Sequence, residues 1–151
     1  MAAIRWCRGP ALYLLGALRA LRRFRTSRIS LRWESEDGAW SGLKQDCLLV
    51  TAGNGPRVGG AFFLTPDAKL DDGLLDLCIV GPMSLWRILR LLPRTLRRRR
   101  IRDPGVRIVR CRYFELESET GLPLPVDGEV LATDARRLQV DTLPLRLRLV
   151  S

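Results

Sequence analysis

Two short acidic segments are the places where this chain could carry out chemistry. The first, TPDAKLDDGLLDL at 65–77, holds four aspartates in thirteen residues, and the second, VDGEV at 126–130, places Asp127 and Glu129 one residue apart. Carboxylates accept protons and bind hard cations. The chain has no histidine, so these carboxylates are the first candidates for acid–base or metal chemistry.

The first acidic segment does not match an EF-hand calcium loop. That loop needs acids at alternate positions before its glycine, whereas here Asp67, Asp71 and Asp72 precede Gly73. A less regular site stays open, in which Asp72 supplies a carboxylate and neighbouring backbone carbonyls complete an oxygen shell suited to Mg²⁺. The spacing alone favours a simpler interpretation, a polar turn with Gly73 at positive φ.

The second acidic segment contains Asp-Gly, which is a strong signal for a β-hairpin turn. A plain turn is therefore one interpretation. Asp127 and Glu129 could also project together from that turn, either to hold a metal or to act as a base and the neighbour that tunes it. Attack of a hydroxyl group on a phosphate needs a proton acceptor and charge neutralisation, so this pair would suit phosphoryl transfer.

A glycine-rich stretch, GNGPRVGG at 53–60, raises the question of a nucleotide-binding loop. The dinucleotide fingerprint needs a glycine where Val58 stands, and no Gly-Lys-Ser/Thr follows to complete a P-loop. The stretch therefore favours a turn in which backbone segments approach closely.

The charge balance is strongly basic, with 26 basic and 16 acidic residues and a formal net charge of +10. Anionic partners are favoured, namely nucleic acid, phosphorylated ligands or an anionic membrane. Six arginines fall within residues 94–102, where they either stabilise a helix end or form a surface for anionic head groups. We expect no nucleic-acid partner, because no aromatic platform is interleaved with them.

The elements that would position these residues are mostly strands. Ile29, Leu31 and Trp33 alternate with polar residues, which predicts a strand. Further strands are predicted at CLLVT (47–51), GAFFL (60–64), LLDLCIV (74–80), and repeatedly from 107 to the end. Helical spacing of leucines predicts helices at about 11–25 and 84–100, the second kinked or split by Pro93. The sum is a mainly β domain, a sandwich or closed sheet, with one or two helices.

The motifs, and the order in which they follow one another along the chain, resemble those of the bacterial diacylglycerol kinase-like lipid kinases. The family's Gly-Gly-Asp-Gly-Thr motif, carried by its ATP-binding α/β domain, does not occur in this chain. The resemblance therefore implies only the C-terminal β-sandwich domain, as a single domain over 1–151. We expect the chain to be either a fragment of a longer enzyme or the product of a split gene. The matching elements are Asn54-Gly55, Gly59-Gly60, Pro66-Asp67-Ala68, Asp72 to Asp76, Asp103-Pro104-Gly105 and Asp127-Gly128-Glu129.

The resemblance implies transfer of the γ-phosphate of ATP to a lipid hydroxyl, by a domain that is inactive without its nucleotide-binding partner. Asp127 matches the candidate general base and Glu129 its companion, and which of the two acts as the base stays open. A structural Mg²⁺ would be held by the Asp72 side chain and by the backbone carbonyls of Lys69 and Leu74. The residues on the cofactor side would be Asn54, Gly55, Gly59 and Gly60.

The expected partners are a lipid substrate, an anionic membrane surface and a nucleotide-binding domain, with oligomerisation left open. We expect a cytoplasmic protein, peripheral at the inner membrane face. Diacylglycerol, phosphatidylglycerol, a sphingoid base and an isoprenoid-type alcohol all stay open as acceptors. The alternative function is a non-catalytic basic module that binds anionic membrane lipid or a partner protein.

Overall fold

A computed structural model describes residues 26–144 of the chain. The predicted helix at about 11–25 and the predicted strand at 145–150 lie outside these residues. The described part folds into β1 (Ser27–Glu34), β2 (Trp40–Cys47), β3 (Leu49–Gly53), β4 (Leu75–Val80), helix α1 (Leu85–Thr95), β5 (Val106–Cys111), β6 (Tyr113–Val126) and β7 (Glu129–Asp141).

The strands form two antiparallel sheets, one in the order β2-β1-β6-β7 and the other in the order β3-β4-β5. Side chains from both sheets meet in one buried cluster, which makes the fold a β-sandwich. The predicted mainly β class is confirmed. The cluster consists of Ile29, Leu31, Trp33, Cys47, Leu77, Ile79, Cys111, Phe114 and Leu116.

The alternation of apolar and polar residues that predicts the first strand agrees with the burial of β1. Ile29, Leu31 and Trp33 are buried in β1, while the residues between them are more exposed. Because successive side chains of a strand point to opposite faces, this pattern turns one face of β1 onto the core.

Two predicted strands are wrong. CLLVT (47–51) is not one strand, because Cys47 ends β2 and a bend at Leu48 leads into β3 of the other sheet. GAFFL (60–64) forms no strand, and Val58 and Phe62 make only an isolated bridge. The physical reason is that Gly59 and Gly60 both have positive φ, 59° and 75°, which turns the chain back within a few residues.

Helix α1 is shorter than the predicted segment of about 84–100. It begins after Ser84, whose Oγ accepts a hydrogen bond from the Arg87 amide at 3.4 Å. It ends because Arg98 adopts a left-handed conformation and the Arg99 amide donates to the Arg94 carbonyl at 3.2 Å, as in a Schellman turn. Pro93 lies in the last turns of the helix and does not split it.

The β6–β7 hairpin is bent by irregular pairing. Glu117 pairs with Arg137 and Leu122 pairs with Ala135, so β6 advances five positions while β7 advances two. Such bulges interrupt the ladder and bend the hairpin. The hairpin closes at Asp127 (φ 50°) and Gly128 (φ 92°), which confirms the predicted Asp-Gly turn.

Three cysteines, Cys47, Cys78 and Cys111, are buried and free, as expected for small hydrophobic residues. Burial raises the pKa of the Cys78 thiol to about 11. Burial, followed by the charge of Asp76, raises the pKa of the Cys111 thiol to about 12. Within residues 26–144, no helix is long and apolar enough to cross a membrane.

The burial of Leu77 predicts a large loss of stability on truncation. Leu77 on β4 is 0% exposed and belongs to the core cluster, so Leu77→Ala should lower the free energy of unfolding by about 2–5 kcal/mol. Leu131→Ala is the control, because Leu131 is 67% exposed, and it should change the free energy by less than about 0.5 kcal/mol. Urea denaturation measures both, and equal losses would contradict the sandwich core.

Candidate functional site

The glycine-rich segment and the first acidic segment lie at one end of the three-stranded sheet, where β3 ends and β4 begins. We refer to this end of the sheet as the edge. We call residues 53–60 the glycine loop and residues 65–74 the acidic loop. β3 ends at Gly53 and β4 begins at Leu75. In the register, Gly53 pairs with Asp76, and Asp76 pairs with Arg110 on β5. The chain between the two strands therefore leaves and returns at the same edge.

Thr65 joins the two loops. Its side chain is 0% exposed, and its hydroxyl donates to the Gly55 carbonyl at 2.8 Å. A Cβ atom at Gly53 would lie 2.6 Å from this hydroxyl and 2.9 Å from the Gly55 carbonyl oxygen. Glycine is therefore required at position 53 by close approach, which is the role that the sequence predicts for this stretch.

Asp72 is held in place by two donors. Its Oδ1 accepts a hydrogen bond from the Leu74 amide at 3.0 Å, and its Oδ2 accepts one from the Arg110 guanidinium. Arg110 also approaches Glu36 Oε2 at 3.5 Å, in the turn between β1 and β2. The guanidinium therefore links the acidic loop to the opposite sheet.

Asp76 is the most unusual carboxylate of this edge. It is 2% exposed, and its buried Oδ2 has no hydrogen-bond partner within the described part of the chain. Burial raises the pKa of Asp76, the charges of Asp72 and Asp67 raise it further, and Arg110 opposes the shift. A buried carboxylate with a raised pKa is a feature of functional sites.

In the sequence analysis, Asp76 is named only as part of a motif, and Thr65 and Arg110 are given no role in the site. The available signal for Asp76 was a charged residue inside the apolar run LLDLCIV, because aspartate is almost never fully buried without a partner. No local signal identifies Arg110, since only the pairing of β4 with β5 brings it opposite Asp76.

The acidic loop offers only oxygen donors to a cation. The predicted ligands are the Asp72 side chain and the carbonyls of Lys69 and Leu74, a set that suits a hard cation such as Mg²⁺. Among residues 26–144, no group of three His, Cys, Asp or Glu side chains could hold a metal. A cation here would therefore depend on the Asp72 carboxylate, on backbone carbonyls and on water. Because both Asp72 oxygens already accept hydrogen bonds, a cation would share this carboxylate with the Arg110 guanidinium, and the Mg²⁺ site stays a prediction.

The predicted catalytic pair lies at the tip of the β6–β7 hairpin. Asp127 and Glu129 are both exposed, and within the described residues neither takes part in a salt bridge or a side-chain hydrogen bond. Exposed aliphatic side chains flank the pair, namely Val126, Val130 and Leu131. The structure describes no direct contact between this tip and the acidic loop, so their meeting in one cleft stays a prediction.

The predicted cofactor-side residues lie on the glycine loop. Asn54, Gly59 and Gly60 are exposed, and Gly55 is half-buried through its contact with Thr65. A Cβ atom at Gly59 or Gly60 would meet nothing within 4 Å. This part of the loop is thus open to a ligand or to another domain, and its role in cofactor binding stays a prediction.

A family model described as the YegS C-terminal NAD kinase beta sandwich-like domain matches residues 1–151. The chain belongs to this family. Relatives named "Probable lipid kinase YegS-like" include one from Xanthomonas euvesicatoria pv. vesicatoria (strain 85-10), 30% identical over 143 residues that make up 93% of this chain and 44% of the relative. Another, from Alcanivorax borkumensis, is 33% identical over 144 residues, 93% of this chain and 46% of the relative.

The fold agrees with solved structures as well. A structure described as "a putative diacylglycerol kinase" from Bacillus anthracis str. Sterne superposes with a TM-score of 0.68 at 23% identity, over 87% of this chain and 43% of that one. These comparisons confirm the resemblance to the lipid kinase family and its β-sandwich. This YegS-type domain spans less than half the length of the relatives that it matches.

The close approach at Gly53 predicts a position-specific loss of stability in this YegS-type domain. Gly53→Ala should lower the free energy of unfolding by about 1–3 kcal/mol, because the new methyl group meets both Thr65 and the backbone. Gly55→Ala is the control, since its Cβ would meet only the Leu70 side chain at 3.3 Å. Thermal or urea denaturation compares the two, and a loss at Gly55→Ala equal to that at Gly53→Ala would contradict the packing described.

The raised pKa of Asp76 predicts a pH-dependent difference between the wild type and Asp76→Asn. The folded state keeps the Asp76 proton to higher pH than the unfolded state does. The contribution of the Asp76 carboxyl to the free energy of unfolding is therefore fully present below its pKa in the unfolded chain. This contribution is lost as the pH rises through its pKa in the folded chain. Because asparagine cannot ionise, Asp76→Asn should gain stability relative to the wild type as the pH rises.

The control for this experiment is Asp103→Asn. The hydrogen bond from Arg87 holds the pKa of Asp103 below its usual value, so Asp103 stabilises the fold above its unfolded pKa and loses that contribution as the pH falls. Asp103→Asn should therefore lose stability relative to the wild type as the pH rises. Urea denaturation between about pH 3 and pH 7 covers both carboxyls. If the difference in the free energy of unfolding between the wild type and Asp76→Asn does not change with pH, the raised pKa of Asp76 is contradicted.

Proposed function

We propose that this chain is the acceptor-side domain of an ATP-dependent lipid kinase, which transfers the γ-phosphate to a diacylglycerol-like lipid hydroxyl. Family membership over residues 1–151 and the names of the relatives support this assignment. Since the chain spans less than half of those relatives, the remaining part would supply the ATP-binding domain. We therefore expect the chain alone to be inactive.

The observation that carries the proposal is the availability of the carboxylates at the hairpin tip. A general base must be free to accept a proton and must be able to reach the hydroxyl. Asp67, Asp72 and Asp103 are each paired with an arginine, whereas Asp127 and Glu129 have no such pair within the described residues. The two carboxylates at the tip are therefore better suited to the role of base than the paired aspartates.

The surroundings of the tip also suit a lipid kinase. Val126, Val130 and Leu131 are exposed large hydrophobic residues beside the carboxylates, and exposed apolar groups of this kind are typical of surfaces that a ligand or partner covers. They would be covered by the apolar part of the substrate or by the nucleotide-binding domain.

The proposed step is a direct phosphoryl transfer. Asp127, held by its tight turn, accepts the proton of the lipid hydroxyl as the oxygen attacks the γ-phosphorus of ATP. The bond between the γ-phosphorus and its bridging oxygen breaks, and ADP leaves. Glu129 is the companion that orients the hydroxyl or shares the proton, and in-line positioning supplies much of the acceleration.

Two further assignments complete the proposal. A Mg²⁺ ion at Asp72 and the carbonyls of Lys69 and Leu74 would supply positive charge that fixes the acidic loop. Asn54, Gly55, Gly59 and Gly60 would face the ATP-bearing domain. The enzyme would act on the cytoplasmic side, at the inner membrane face, where its lipid substrate lies.

The proposal predicts that activity returns when the missing half is supplied. The chain is joined to the preceding part of the Xanthomonas relative, and transfer of labelled γ-phosphate to dispersed diacylglycerol is measured. Asp127→Asn should then lower the turnover number by roughly 100-fold or more, because the proton acceptor is removed. Glu129→Gln separates the role of the companion from that of the base.

Asp134→Asn is the matched control, because Asp134 is an exposed carboxylate on the same hairpin. It should leave the turnover number nearly unchanged. Full activity of the Asp127→Asn hybrid would contradict the assignment of the base. No activity in any hybrid that folds, together with salt-sensitive binding to anionic vesicles that ignores Asp127→Asn, would favour the non-catalytic basic module, for which the exposed arginines after Pro93 are the supporting observation.

A further inference from the structure

An arginine-lined cavity lies between helix α1 and the segment that follows it. Its volume is about 330 Å³. Four guanidinium groups and one carboxylate surround it, and Leu91 supplies an apolar wall. The complete lining is Arg87, Arg90, Leu91, Arg94, Arg102 and Asp103. None of these residues has a part in the proposed phosphoryl transfer.

One wall of the cavity is fixed by an ion pair. Arg87 donates from Nε and Nη2 to the two oxygens of Asp103, at 2.9 and 2.5 Å. Asp103 also accepts from the Gly105 amide at 2.8 Å through its side chain, and its carbonyl accepts from Val106 at 2.9 Å. This bidentate pair fastens the turn after residue 102 to helix α1 and thereby fixes one wall of the cavity.

Three other arginines of the cavity are available to a ligand. Within the described residues, Arg90, Arg94 and Arg102 have no salt bridge, and all three are exposed. Arg90 and Arg94 are one helical turn apart and therefore lie on the same face of α1. Like charges gathered around one cavity repel each other, and an anion between them removes that repulsion.

The neighbouring arginines behave differently. The Arg98 side chain donates to the Pro66 carbonyl at 3.3 Å, and Arg100 pairs with Asp67 at 2.6 Å. These two arginines hold the acidic loop against the end of the helix. Arg98 and Arg100 thus contact the acidic loop, whereas Arg94 and Arg102 line the cavity.

An exposed tryptophan lies beside the cavity. Trp86 is 82% exposed and precedes Arg90 by one helical turn, which places both on the same face. At the other end of the helix, Leu96 is 48% exposed. Indole rings prefer the boundary between water and a bilayer, where their apolar ring and their N–H are both accommodated.

We propose that this cavity binds the phosphate group of an anionic lipid within a bilayer, with Trp86 inserted at the interface. The guanidinium fork matches phosphate oxygens in a bidentate manner, and the exposed indole selects a lipid over a free phosphate. The inference extends the proposed function by naming its membrane-facing surface. The test contains neither ATP nor a nucleotide-binding domain, so its failure would leave the assignment of Asp127 standing.

The test compares two double variants that each remove two positive charges. Arg90→Gln/Arg94→Gln alters the cavity, whereas Arg97→Gln/Arg99→Gln alters exposed arginines outside it. Binding to vesicles of phosphatidylcholine with about one third phosphatidylglycerol is measured by sedimentation. The cavity variant should bind about 30-fold more weakly than the wild type, and the control variant only a few-fold more weakly. Equal losses would overturn the site and leave only diffuse attraction.

Trp86 distinguishes a bilayer from a soluble anion. The chain has four tryptophans, and their summed emission should shift to the blue when phosphatidylglycerol vesicles are added. Trp86→Phe should abolish this shift. Glycerol phosphate at the same phosphate concentration should neither produce the shift nor displace the protein from vesicles. Displacement by glycerol phosphate, or vesicle binding without a shift of the Trp86 emission, would overturn the choice of a lipid as the ligand.

Discussion

The candidate site depends on the interactions of the Arg110 guanidinium. It hydrogen-bonds Asp72 in the acidic loop, approaches Glu36 in the turn of the opposite sheet, and lies across the β4–β5 ladder from buried Asp76. Carboxylates gathered at one edge repel each other, and a single cation reduces that repulsion. Burial raises the pKa of Asp76, and the charge of Arg110 opposes that rise.

Further contacts hold the two loops next to the Arg110 guanidinium. Thr65 joins the acidic loop to the glycine loop, and Gly53 allows the close approach that this requires. Arg98 and Arg100 then hold the acidic loop against the end of helix α1. Backbone carbonyls and carboxylates are thereby kept in a fixed arrangement, which is the kind of preorganisation that a cation site or a phosphate-transfer cleft needs.

Local features of the structure were readable from the sequence. The alternation of Ile29, Leu31 and Trp33 predicts β1, the Asp-Gly pair predicts the hairpin turn, and Ser84 predicts the start of α1. The failures are non-local. CLLVT reads as one strand although the chain changes sheets at Leu48. β2 is mostly polar and exposed, so its sequence carries no strand pattern, and Arg110 meets Asp76 only through strand pairing.

The proposed function requires the hairpin tip that carries Asp127 to face the phosphate donor once the nucleotide-binding domain is present. The most direct measurement is a structure of the joined enzyme with an unreactive ATP analogue and diacylglycerol. An Asp127 carboxylate oxygen should lie within about 3 Å of the lipid hydroxyl, with that hydroxyl in line with the γ-phosphorus. A tip that points into solvent, away from the nucleotide, would contradict it.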